Sequence, residues 1–195
     1  MKLEALLSRG KRIRAIGFDD ADHRGMERGS AVNVAGIVCA ATRFEGMLWG
    51  ELAKDGTDST DVLGRMLSGS KFARQLHLIL LDGITFGGCN VVDLPRLSME
   101  TDLPVVAVMR RHPDLKSFHH VVDMLPDADE RRRCVQAAGE IHERDGFVFQ
   151  VVGEEPDVTA RVLGKLTHQG KVPEALRLAH LIGSAVALGE SGCRA

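Results

Sequence analysis

Leu78-Ile79-Leu80-Leu81-Asp82-Gly83-Ile84-Thr85-Phe86-Gly87-Gly88-Cys89-Asn90-Val91-Val92-Asp93 starts as an apolar run of strand length and breaks at Asp82-Gly83 into a glycine-rich segment. A carboxylate therefore sits where a buried strand surfaces. In open α/β sheets, ligands bind at the carboxyl ends of strands, which makes Asp82 the first candidate for chemistry. The same residues also read as an Asp-Gly turn followed by a helix that Asp93 caps. The rest of the chain has to choose between the two.

Working outward, residues 13–18 form a short apolar strand that delivers Asp19 and Asp20 at its end. Residues 21–30 are polar and contain Gly25 and Gly29, so they form a loop. Strands are expected over 31–39 and about 43–52, and the short connection Ala40-Ala41-Thr42 favours an antiparallel hairpin. Trp49 reads as a packing residue. Asp55-Gly56-Thr57-Asp58-Ser59-Thr60-Asp61 is dense in capping residues and opens a helix to about Ser70. Beyond the strand at 78–81 come a short helix over 94–100 and a fifth strand over 104–109, which ends in Arg110-Arg111-His112-Pro113. Helices over 114–125 and 127–144, a strand over 147–152, and helices over 156–168 and 173–188 complete the chain. Three meander strands followed by β-α-β steps predict one α/β domain over residues 1–195, of the ribonuclease H-like kind. Its mixed sheet has five to six strands, antiparallel first and then parallel, flanked by helices.

The 195 residues are 44 % hydrophobic and 27 % charged, too apolar for disorder and long enough for one sizeable core. A formal charge of -2 argues against a generally cationic coat but leaves room for a local basic groove. Cys39, Cys89, Cys134 and Cys193 are far apart and read as reduced thiols of a cytoplasmic protein, with a structural zinc or a disulfide as the alternatives. The first 14 residues lack the apolar core of a signal peptide, and no apolar run is long enough to span a bilayer, so no membrane is expected as a partner. The run Arg131-Arg132-Arg133 reads as a solvated helix face, with a nucleic-acid contact as the other reading.

In such a sheet the first strand lies beside the fourth, so Asp19 and Asp82 approach each other. Two carboxylates repel, and a divalent cation between them removes the repulsion. Oxygen ligands without Cys or His suit Mg²⁺, with Mn²⁺ as a substitute. The matching reaction is phosphodiester hydrolysis, in which a metal activates water and neutralises charge on phosphorus. Asp20 points to the opposite side of the strand and stands behind the ligands or in solvent. Asp58 is either a helix cap or a further ligand. The glycine-rich segment lacks Gly-Lys-Ser/Thr, which argues against a nucleoside triphosphatase.

Gly17-Phe18-Asp19-Asp20, Asp55-Gly56-Thr57-Asp58-Ser59-Thr60, Leu81 to Asp93 and Pro104-Val105-Val106-Ala107-Val108 resemble the motifs of the endonuclease dU family, which is related to endonuclease V. The resemblance covers nearly the whole chain. It implies that Asp19 and Asp82 are metal ligands, with Asp58 or Asp61 in the region of a third, Asp58 being favoured. Pro173-Glu174-Ala175-Leu176-Arg177-Leu178-Ala179-His180 is similar to the C-terminal helix motif of endonuclease V, whose final His lies by the active site. His180 is thereby a candidate to position water or assist proton transfer. Read alone, it would be a satisfied His on an apolar helix. Thr85 to Asn90 stands where endonuclease V has His-Pro-Arg, and an aromatic-proline wedge is missing before Asp58.

The expectation is thus a Mg²⁺-dependent endonuclease acting on DNA with deaminated or damaged bases such as deoxyuridine. Asp19, Asp82, Asp58 and His180 would be catalytic, with the three aspartates on the metal. Asp20, Asp93 and Arg177 would support them. Arg14, Arg110 and Arg111 would meet phosphates, and Thr85 and Asn90 would contact the nucleic acid and select the substrate. The rival expectation is a nucleic-acid-binding or protein-interaction module without turnover, and the oligomeric state is open between monomer and homodimer.

Overall fold

Arg14–Asp20 forms β1, the strand on which the other elements order themselves. The computed structural model describes residues 2–192. A short helix α1 (Leu3–Ser8) precedes β1, and β2 (Ala31–Ala40) and β3 (Arg43–Ala53) follow it. Helix α2 (Ser59–Ser68) leads to β4 (Leu78–Asp82), and a small hairpin, β5 (Thr85–Phe86) and β6 (Asn90–Val91), interrupts the glycine-rich segment. Then come α3 (Leu94–Thr101), β7 (Val105–Met109), α4 (Leu115–Asp123), α5 (Ala128–Ala137), β8 (His142–Arg144), β9 (Phe147–Val152), α6 (Pro156–Leu166) and α7 (Glu174–Leu188).

The large sheet runs β3-β2-β1-β4-β7-β9-β8. β1 to β3 are an antiparallel meander, while β1, β4 and β7 are parallel, as expected of a ribonuclease H-like sheet. The sheet has seven strands rather than five or six. The extra one, β8, lies where a continuous helix over 127–144 was expected. The helix stops at Ala137, and Asp145 (φ 51) and Gly146 (φ 81) make the two-residue turn that pairs β8 antiparallel with β9. An Asp-Gly pair supplies the positive φ at both positions that such hairpin turns need. In sequence, its flanks were too charged to read as strand. The N-terminal helix α1 was also not anticipated. It is six residues long and held by Leu3 and Leu6 in the core.

Alternation along the strands divides the core. Ile16, Phe18, Ile79, Leu81, Val105 and Ala107 face α2 and α3, joined by Val62, Leu63, Leu94 and Leu97. Ala15, Leu78, Leu80, Val106 and Val108 face α1, α6 and α7. Cys39, Cys89 and Cys134 are free thiols, and Cys193 lies outside the described residues. Burial pushes the Cys39 thiol up to about 12, so it is inert as a nucleophile. No helix among the described residues is long and apolar enough to cross a membrane.

Candidate active site

Gly17 brings the site together. A Cβ there would lie 2.7 Å from the Ala175 carbonyl carbon and from the Leu176 amide, so the backbone of α7 rests directly on β1. Asp19 is two residues on, on the same face. One turn along α7 from Leu176, His180 reaches it, with Nδ1 and Asp19 Oδ2 2.9 Å apart. Asp82 continues the Leu78, Leu80 face of the neighbouring strand. Ligand atoms of Asp19, Asp82 and His180 all lie within 4.8 Å of one another. They line an open cleft of about 660 Å³ with Asp20, His23 and Arg110.

The charges are poorly solvated. Asp19 is 6 % exposed, and burial pushes it up to about 6 against the pull of the His180 hydrogen bond, with the charges of Asp82 and Asp20 adding to the rise. Burial also raises Asp82, opposed by Arg110, whose guanidinium lies 3.3 Å from its Oδ2. The Asp19 hydrogen bond in turn raises His180. The donor set of two carboxylates and one imidazole, with more negative charge than His180 and Arg110 balance comfortably, fits a hard divalent cation. The imidazole admits Mn²⁺ as readily as Mg²⁺, a broader choice than an all-oxygen set implies.

Asp58 is not in this group. Its Oδ1 accepts from the Ala53 amide (3.2 Å) and from Asn90 Nδ2 (2.7 Å), so its carboxylate locks the turn before α2. Asn90 is fully buried. Its Oδ1 accepts from the Ser59 amide and its Nδ2 donates to the Ala53 carbonyl, so it is a clamp between segments and cannot meet nucleic acid. Asp93 caps α3 by accepting from the Arg96 amide, which is the plain reading of that residue. Arg14 pairs with Glu45 near the start of β1, about 16 Å of strand from Asp19. Arg177 is held by Glu174 in the first turn of α7. Arg110 lines the cleft, Arg111 is exposed beside it, and Thr85 is half-buried on the other side of the strand end.

Two side chains act differently from what their sequence position suggested. Asp20 Oδ2 accepts from the Gly87 amide (2.8 Å) and pairs with His23 (2.9 Å), tying the glycine-rich loop to the cleft rim. Gly87 and Gly88 both have positive φ there, and a Cβ on Gly88 would sit 2.3 Å from Asp55 Oδ1. His23, four residues beyond Asp19 in a polar loop, carried no signal in the sequence. Arg131 is not on a solvated face. It is 1 % exposed and donates to the carbonyls of Asp55, Gly56, Cys89 and Pro126, bolting the loop before α2 to the glycine-rich segment.

Gly17→Ala is expected to lift α7 from β1 and lower stability by roughly 1–3 kcal/mol, the usual cost of overpacking. It should also part His180 from Asp19. A His180 imidazole titration followed by NMR would show its pKa fall toward the ordinary value. An unchanged His180 titration would contradict the close-contact account.

A family model described as Endonuclease dU matches residues 11–187. A UPF0215 protein of Methanothermobacter thermautotrophicus is 38 % identical over 183 residues, 92 % of this chain and 90 % of the relative. The crystal structure of a protein of unknown function from Archaeoglobus fulgidus has a TM-score of 0.85 at 37 % identity, covering 90 % of this chain and 98 % of that one. Endonuclease V of Ciona intestinalis, solved in complex with a DNA containing an inosine followed by a ribo-adenosine, has a TM-score of 0.53 at 12 % identity, covering 87 % of this chain and 83 % of that one. The last comparison is a likeness of fold.

Proposed function

This chain belongs to the endonuclease dU family, and from that premise we propose that it is a divalent-metal-dependent endonuclease hydrolysing DNA phosphodiester bonds at deaminated or damaged bases such as deoxyuridine, a DNA-repair activity. The observation that carries the reading is the convergence of Asp19, Asp82 and His180 at the carboxyl ends of two parallel strands. Asp19 and Asp82 would hold Mg²⁺ or Mn²⁺, which when bound activates water and neutralises charge on the phosphate. His180, steered by Asp19, holds a proton at the cleft and can pass it to or from the reacting oxygens. Arg110 keeps Asp82 ionised and offers its remaining donors to a phosphate. Asp20 fixes the glycine-rich loop beside the site.

The test is nicking of duplexes carrying uracil, hypoxanthine or no lesion, with Mg²⁺ or with EDTA. Lesion-dependent, EDTA-sensitive nicking is expected. Binding without nicking on every duplex would favour the non-catalytic module instead. Metal affinity should also depend on pH. The cation needs Asp19 ionised, so affinity is expected to be level above about 6 and to fall about tenfold per pH unit below it, one proton being displaced per ion. Calorimetry with Mn²⁺ between pH 5 and 8 would measure this, and a flat profile would remove Asp19 from the ligand set.

A further inference from the structure

Behind the same strand ends, on the α2 and α3 face of the sheet, lies a cavity of about 810 Å³ between β4, β7, β9 and the α4–α5 pair. Ile84, Met109, Leu115, Phe118, Val135 and Ile141 give it mostly apolar walls. Gly83 and Met109 line the end next to the carboxylate cleft, and the residues adjoining them in the chain, Asp82 and Arg110, line the cleft itself. Consecutive Cα atoms are about 3.8 Å apart, so only the ends of β4 and β7 separate the two spaces. Gln150 lines the cavity and is 5 % exposed. Its Nε2 donates to the Gly139 carbonyl at 2.8 Å, which fixes the amide's orientation. Its Oε1 accepts no hydrogen bond from the described residues and is left as an oriented acceptor in an apolar slot.

We propose that this cavity receives the base of the target nucleotide, extruded from its stack, and that Gln150 Oε1 accepts the ring N–H of a lactam base such as uracil. The proposal rests on the nuclease reading above, since it places the base in the cavity while the neighbouring phosphate lies at Asp19 and Asp82. The volume is within the range of small-ligand sites, and apolar walls with one placed polar group are what such sites use to hold a flat ring and fix its edge. The acceptor gives the pocket its chemical sense. Deamination turns cytosine's ring N3 from an acceptor into a donor, and does the same to N1 of adenine on the way to hypoxanthine. An acceptor aimed at that ring nitrogen attracts the deaminated base and repels its parent. Extrusion is also easiest for a base that is already mispaired.

Fluorescence anisotropy in EDTA, where a metal-dependent enzyme cannot cut, tests the pocket with labelled duplexes carrying uracil, N3-methyluracil or cytosine opposite guanine. N3-methyluracil pairs less well than uracil and so is easier to extrude, yet it lacks the N–H. Uracil is expected to bind at least about tenfold more tightly than N3-methyluracil, the discrimination of one good polar contact. Leu115→Trp, at a position 44 % exposed and therefore tolerant, should fill the cavity mouth and abolish the preference. Equal or tighter binding of N3-methyluracil, or a preference that survives Leu115→Trp, overturns the proposal. So does displacement of the duplex by free deoxyuridine monophosphate at matching concentration, which would make the occupant a free nucleotide. Preference for uracil without nicking in Mg²⁺ would support the pocket and defeat the nuclease reading. Nicking without the preference would do the reverse.

Discussion

Asp19→Asn should abolish lesion-dependent nicking and leave the fold intact or tighter. Loss of a first metal ligand removes several kcal/mol of transition-state charge stabilisation, so turnover is expected to fall by about 10³-fold or more. The folded protein responds in the opposite direction, because Asp19 is buried beside Asp82 and Asp20 and its pKa is raised from 3.8 to about 6. A folded pKa above the unfolded one means that the native state binds the proton more tightly. The stability this contributes is fully present below pH 3.8 and is lost as pH rises from there through about 6. In EDTA the wild type should therefore weaken over that window on Asp19's account, while the Asn variant does not. At pH 7 the variant should melt at the same temperature as the wild type or a few degrees higher, a gain of order 1 kcal/mol. Divalent metal should raise the wild-type midpoint and not the variant's. A variant that nicks normally, or one that unfolds at room temperature, would remove Asp19 from the role given to it here. The site is thus a place where function is held at the expense of stability.

Arg131→Met should give the largest loss of stability in the molecule. The guanidinium satisfies four carbonyls, three of them on the two loops that flank the site, and methionine fills similar volume with no donor. Each buried carbonyl left without a partner costs roughly 1–3 kcal/mol, so a total of at least about 3 kcal/mol is expected. For a chain of this length that lowers the melting midpoint by about 10 °C. Arg131→Lys should recover only part of it, since an ammonium has three donors and no planar fork. Arg133→Ala, two residues on and exposed, should stay within about 0.5 kcal/mol. Thermal melting of the three variants decides. Equal behaviour of Arg131→Met and Arg133→Ala would show that the buried clamp contributes nothing.

The three arginines show how far one-dimensional reading reaches. Side by side in the chain, they carry identical local signals, and a charged run normally marks a solvated face. Which of them turns inward depends on where the loops over 53–59 and 87–90 leave unpaired carbonyls, and those loops meet α5 only in the folded protein. Asn90 and Asp58 were misplaced for the same reason. Each has the chemistry of a ligand, and both are taken up by backbone amides and carbonyls that the tertiary structure brings to them. The strand β8 was hidden by its charge, although the Asp145-Gly146 turn was visible in the sequence.

By itself the sequence determined the meander followed by parallel strands, the carboxylates at the ends of β1 and β4, and the candidacy of His180. These follow from local quantities: apolar runs of strand length, breaks at Asp and Gly, and the spacing of motifs. Only the tertiary structure decided which polar residues face the cleft and which fasten loops. A carboxylate or amide has the same chemistry in either place, and its role is set by the partners that long-range packing puts within 3 Å of it. Gly17 joins the two levels. In the chain it is one glycine in a short strand, and in the fold it is the absence of a side chain that lets α7 come down onto β1 and bring His180 to Asp19.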